Sequence, residues 1–173
     1  LGNLAGAYVG VQSVASVVSS LFDALDRADR FDEMAQSAGV STEALSRLSY
    51  AAKFSSVDVD ALGKGLRKLA DEAASNKGLL GELGINIADA AGNARSADAI
   101  FADLADVFAA MPDGPEKAAL AMKLFGERAG PGLVPLLNEG KRGLQDLGLE
   151  AERTGNVLDS ATGKGAAELA DNL

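Results

Sequence analysis

The sequence predicts a mainly α fold: helical hairpins and amphipathic helices, an N-terminal coiled-coil-like helix, and at most one small β-hairpin near 85-95. Three observations predict it. Apolar residues recur at three- and four-residue steps through most of the chain, whereas period-two alternation is confined to Ile85-Asn86-Ile87. Ser, Asp, Gly and Pro fall between these runs, where they start or stop helices. Aromatics are only 5% of 173 residues and there is no Trp, so helix-on-helix contacts through small residues are expected in place of a thick core.

The first expected unit is an apolar, coiled-coil helix over 1-36. Residues 1–22 carry no charged side chain, and Leu4, Tyr8, Val11, Ala15, Val18, Phe22 and Leu25 recur at alternating steps of four and three. That spacing is a self-association seam and implies a homo-oligomer. A membrane span is the alternative, since the length would just cross a bilayer. Against it stand Asn3, Gln12 and four serines, with no basic anchor or signal-peptide n-region ahead of the apolar part. Asp23, Asp26, Arg27, Asp29, Arg30, Asp32 and Glu33 then read as a solvated face with neighbouring ion pairs.

The second unit, 37-155, is a helical module. Gly39 ends the preceding helix, Ser41 caps the next and Glu43 favours its N-terminal dipole. Leu45, Leu48 and Ala52 form one apolar face; Ser55-Ser56-Val57 interrupts; Asp58 caps a helix with Val59, Leu62, Leu66, Leu69 and Ala73 on its face. Asn76-Lys77-Gly78 breaks that helix, and 79–84 spans at most two turns. Ile85-Asn86-Ile87 and Ala94-Arg95 are the candidate β strands, joined by turn residues from Asp89 to Asn93. Asp89 lacks the spaced acids and closing Glu of a calcium loop, so a turn is expected there and no metal site.

Ser96 is expected to cap a helix bearing Ile100, Phe101, Leu104, Ala105 and Phe108, which Pro112 ends. Asp113, with Glu116 three residues on and Pro115 in the first turn, marks the start of a helix that buries Leu120, Leu124 and Phe125. Gly126, Gly130, Pro131, Gly132 and Pro135 follow. They form a candidate hinge, because glycines beside prolines change φ/ψ at least cost. The alternative is a fixed turn in which Leu133, Leu136 and Leu137 pack back on Leu120 and Leu124. A phosphate loop is excluded, as no buried strand precedes the glycines and no Gly-Lys-Ser/Thr follows them. Leu144, Leu147 and Ala151 share a last face, and 156-173 is expected to be a weakly amphipathic helical tail.

Bulk properties exclude several function classes. A net charge of -9 repels phosphate backbones, so direct nucleic-acid binding is not expected. The absence of Cys and His removes thiolate nucleophiles, disulfides, the usual zinc ligands and His-based acid–base catalysis. No cofactor is expected. Because the chain opens on Leu1, it is expected to be a fragment of a longer protein.

Several stretches carry a resemblance. Ala-Gly-Val-Ser-Thr-Glu-Ala-Leu-Ser at 38–46 leads into Tyr50-Ala51-Ala52; then come Leu83-Gly84-Ile85, Met111-Pro112-Asp113-Gly114, Lys-Ala-Ala-Leu-Ala-Met-Lys-Leu-Phe-Gly at 117–126 and Leu-Val-Pro-Leu-Leu-Asn-Glu-Gly at 133–140. In this order they resemble the tape measure proteins of long-tailed bacteriophages and prophages, and the likeness covers most of the chain from about residue 29 to 155. The resemblance implies a structural, non-enzymatic virion protein. Such proteins lie in several copies in the tail tube lumen, set tail length during assembly in the host cytoplasm, and leave during genome ejection. It also implies tube, tip and assembly-chaperone partners and admits membrane contact during ejection. The alternatives are a helical scaffold, a membrane-active protein, or a non-catalytic part of a cell-wall-degrading tail protein.

Overall fold

Helix boundaries fall where the chain carries its caps and breakers. The computed structural model describes residues 26–75 and 78–158, and among them eight helices follow one another. Residues 26–38 form α1, which Gly39 closes at φ +67 while the Val40 amide donates to the Ala35 carbonyl at 3.0 Å. This six-to-one closure satisfies a terminal carbonyl and turns the chain. The same bond recurs from Val57 to Ala52, Ile85 to Leu80 and Asn156 to Ala151, each beside a residue at positive φ. One of those residues is Ser56, the single positive-φ side chain among the described residues.

Helix α2 spans Thr42–Phe54, and the Ser41 hydroxyl accepts from the Ala44 amide as expected of its cap. Helix α3 spans Val59–Ser75, and the Asp58 carboxylate accepts from the Ala61 amide at 3.0 Å. A single turn, α4 (Leu79–Glu82), leads to the loop before α5 (Ala97–Ala110). Helices α6 (Pro115–Phe125), α7 (Gly130–Leu137) and α8 (Gly140–Arg153) complete the series.

Two local expectations need correction. Ser96 stands at the N-cap of α5, but its side chain makes no capping hydrogen bond. Asp113 does not cap α6 either; Gly114 holds that position. The reason is Lys117, whose ammonium lies buried and donates to the Asp113 carboxylate at 3.0 Å and the Met111 carbonyl at 3.2 Å. A buried cation costs far more unpartnered than a helix end does uncapped, so Asp113 serves Lys117.

The hairpin near 85-95 reduces to one antiparallel bridge between Ala88 and Ala94, and no strand forms among the described residues. Asp89 explains the arrest. Its carboxylate accepts from the Ala91 and Asn93 amides, both at 2.9 Å, which closes a tight turn without extending the ladder.

The core sits where α3 and α5 meet α6 and α7, with α2 and α8 packed against each other and α8 against α5. Leu62, Leu66 and Leu69 of α3 face Phe101, Leu104 and Phe108 of α5, Phe125 of α6 and Leu133, Leu136 and Leu137 of α7, all buried. The Phe125 ring lies 5.6 Å from that of Phe101 and 6.1 Å from that of Phe108, in tilted and edge-on geometries that aromatic quadrupoles favour. Scarce aromatics therefore still build a substantial centre, because three of the chain's six phenylalanines converge on it. Small residues act as expected at the margins: a Cβ on Gly65 would fall 2.4 Å from Leu133 Cδ1, so α3 and α7 approach closely there. From α1, Ala35 and Ala38 enter the core while Phe31 and Met34 pack on its edge, so the packed unit begins N-terminal of residue 37. No helix among the described residues is long and apolar enough to cross a membrane.

Candidate functional site

The seam of Leu4, Tyr8, Val11, Ala15, Val18, Phe22 and Leu25 lies outside the described residues, as do residues 159–173 of the tail. The corner between α6 and α7 is described throughout. Gly126 ends α6 at φ +93, 127–129 make a turn, and Gly130 opens α7 with its amide donating to the Gly126 carbonyl at 2.8 Å. Pro131 stands in the first turn of α7, where its missing N–H is not needed, and Pro135 lies within the helix.

The five candidate hinge residues thus divide into different environments. A Cβ on Gly130 would lie 2.3 Å from the Ala121 carbonyl oxygen and 2.7 Å from the Met122 nitrogen, so the backbone of α7 rests directly on that of α6. Gly132 faces open space, and Pro131 and Pro135 are exposed. Leu133, Leu136 and Leu137 of α7 are buried beneath this corner. Only Gly126 adopts a conformation that side chains resist.

Charged groups form ties between helices. Asp32 accepts a hydrogen bond from the Thr42 hydroxyl, joining α1 to α2, while Asp26 and Asp29 are exposed. Asp103 on α5 accepts from Lys141 at 2.6 Å and pairs with Arg95 at 2.7 Å, and its neighbour Asp106 accepts from the Lys141 amide at 2.8 Å. Partial burial pushes the Asp103 carboxyl up, but the hydrogen bonds and charges of Lys141 and Arg95 outweigh it and hold the group below the usual range. A depressed carboxyl contributes stability above its unfolded pKa, about 3.9, and loses it as pH falls through the folded value. The melting temperature is therefore expected to drop below about pH 4, and Asp103→Asn to flatten that drop at a cost near neutrality of about 1 kcal/mol. Melts of both proteins across pH 3 to 7 check it; parallel profiles would dismiss the bridge.

The Asp89 turn is likewise internally satisfied. Hydrogen bonds from the Asn93 amide and side chain hold its carboxyl below the usual range, which leaves the turn geometry as its evident work. No group of three His, Cys, Asp or Glu residues among the described residues could hold a metal ion.

One surface was not foreseen from the sequence. Helices α2, α5 and α8 enclose a groove of about 410 Å³ lined by Ala44, Leu48, Ala102, Leu144 and Leu149, with Asp98 and Asp146 on its rim. The signal for it was Leu149, which falls off the buried face shared by Leu144 and Ala151. No family model matches the chain, and neither does any curated protein or solved structure.

Proposed function

We propose that the chain is a structural helical module of a phage tail tape measure protein, working in the virion tail and assembled in the host cytoplasm. One observation carries the reading. Part of the family-like sequence falls at joints of the fold, namely Gly39 to Ser41 between α1 and α2, Leu83-Gly84-Ile85 after α4, Met111 to Gly114 between α5 and α6, Gly126 after α6 and Asn138 to Gly140 between α7 and α8, while the rest of it lies within α2, α6 and α7. Residue types at such corners are constrained by backbone geometry, as the positive φ of Gly39, Gly84 and Gly140 attests, so they carry more family information than Ala/Leu-rich helix interiors. Its partners under this reading are further copies of the chain and the tube, tip and chaperone proteins of the tail.

The fold adds a physical condition to the ruler. A compact unit of roughly 130 residues has a radius of gyration of about 14 Å. The same chain drawn into one helix would reach about 200 Å. Removing residues 42–153 in frame from the parent gene should therefore shorten tails by only tens of ångströms if the folded module occupies the tube, and by about 170 Å if the chain runs through it as one helix. Electron micrographs of purified tails measure this, together with mass spectrometry of their protein content. Absence of the chain from purified tails would overturn the proposal.

A further inference from the structure

We infer that the groove between α2, α5 and α8 docks a basic amphipathic segment of a partner protein. The segment would seat apolar side chains on Leu48, Leu144 and Leu149 and set Lys or Arg side chains against Asp98 and Asp146.

The groove has an apolar floor and a charged rim. Leu149 is 63% exposed, although it lies one residue from Gly148, where α8 closes on α2 with the Arg47 side chain 3.5 Å from a would-be Cβ. Leu48 and Leu144 are already mostly buried, so the apolar area left to cover is chiefly Leu149 with the half-buried Ala44 and Ala102, and removing it from water is the usual source of docking energy. At the rim, Glu152 is already answered by Arg47 at 2.6 Å, which leaves that pair without net charge. Among the described residues neither Asp98 nor Asp146 forms an ion pair. Asp98 sits in the first turn of α5, beside the amide end of that helix. The groove thus presents two unneutralised carboxylates around apolar ground, and its complement is an apolar ridge flanked by cations.

Two other occupants fit less well. A second copy of the chain carries a net charge of -9 and meets an acidic rim, so its approach is repelled. The chain's last described residue is held on another side of α2: the Leu158 amide donates to the Ser46 hydroxyl at 2.9 Å, and Ser46 lies about 200° around α2 from both Ala44 and Leu48.

The test uses the full 173-residue chain and a fluorescein-labelled 14-residue helical peptide of Leu and Lys, followed by anisotropy at physiological salt. Two control peptides accompany it, one with Glu in place of Lys and one with Ser in place of Leu. The Leu/Lys peptide should bind while both controls bind at least about tenfold more weakly. Leu149→Ser and the Asp98→Asn, Asp146→Asn pair should each lose about tenfold or more, with melting temperatures close to the parent's because all three side chains are at the surface. Phe54→Ser, which removes an equally exposed aromatic outside the groove, should leave binding unchanged. No binding of the Leu/Lys peptide, equal binding of the Lys/Ser peptide, full binding by either groove variant, or loss of binding in Phe54→Ser would each overturn the inference.

Discussion

Gly130→Ala is expected to destabilise the module by roughly 3 kcal/mol or more, while Gly132→Ala, two residues away, leaves it unchanged or up to about 1 kcal/mol more stable. The added methyl at 130 meets the Ala121 carbonyl carbon at 2.5 Å and the Met122 nitrogen at 2.7 Å, and backbone cannot rotate aside as a side chain would. Relief requires α7 to lift from α6. That movement loosens Leu133, Leu136 and Leu137, each wholly buried. At 132 the methyl enters open space within a helix, so only the removal of glycine's unfolded-state freedom registers. Urea unfolding followed by circular dichroism separates the two variants; equal midpoints would mean that α6 and α7 are not in direct backbone contact. The contrast also revises the idea of a shared hinge. If the module opens during passage through a tube, opening has to break the α6–α7 contact and cannot swing freely at these glycines.

Phe125→Ala should cost about 3–5 kcal/mol, a fifth or more of the stability of a typical domain. Phe125 is the last residue of α6, yet its ring touches two aromatic rings of α5 and its Cβ lies 3.5 Å from a would-be Cβ on Gly65 of α3. Truncation therefore opens a cavity where three helices meet and collapse is blocked on every side. Phe54→Ala supplies the comparison. That ring is 63% exposed and lies against the Tyr50 ring at 5.1 Å, so its loss should stay within about 0.5 kcal/mol. Thermal melts of the two variants test the ranking, and similar melting temperatures would place the core elsewhere.

The sequence by itself determined the helices and most of their ends. Gly39, Ser41 and Asp58 act through bonds to residues three to five positions away and Pro115 through its fixed φ and missing N–H, so their chemistry is legible without knowing what the helices pack against. The faces of α3 and α5 were legible for the same reason: a period of 3.6 assigns Leu62, Leu66 and Leu69, and Phe101, Leu104 and Phe108, to one side whatever lies opposite. Only the tertiary structure decided which neighbours those sides meet. Gly130 and Gly132 look alike in a Gly-Pro-Gly string, and α6 alone makes one indispensable and the other free. Asp113 looked like a cap until Lys117 was buried beside it, and Asp103 became a bridge because α8 brings Lys141 to it across 38 residues. Beyond the off-face Leu149 the groove has no local signature, since its floor joins side chains from three helices that the chain visits far apart. Caps and periodicity are short-range consequences of backbone geometry, whereas close approach, ion pairing and clefts depend on how completed helices stack. That stacking is set by the summed fit of the whole core.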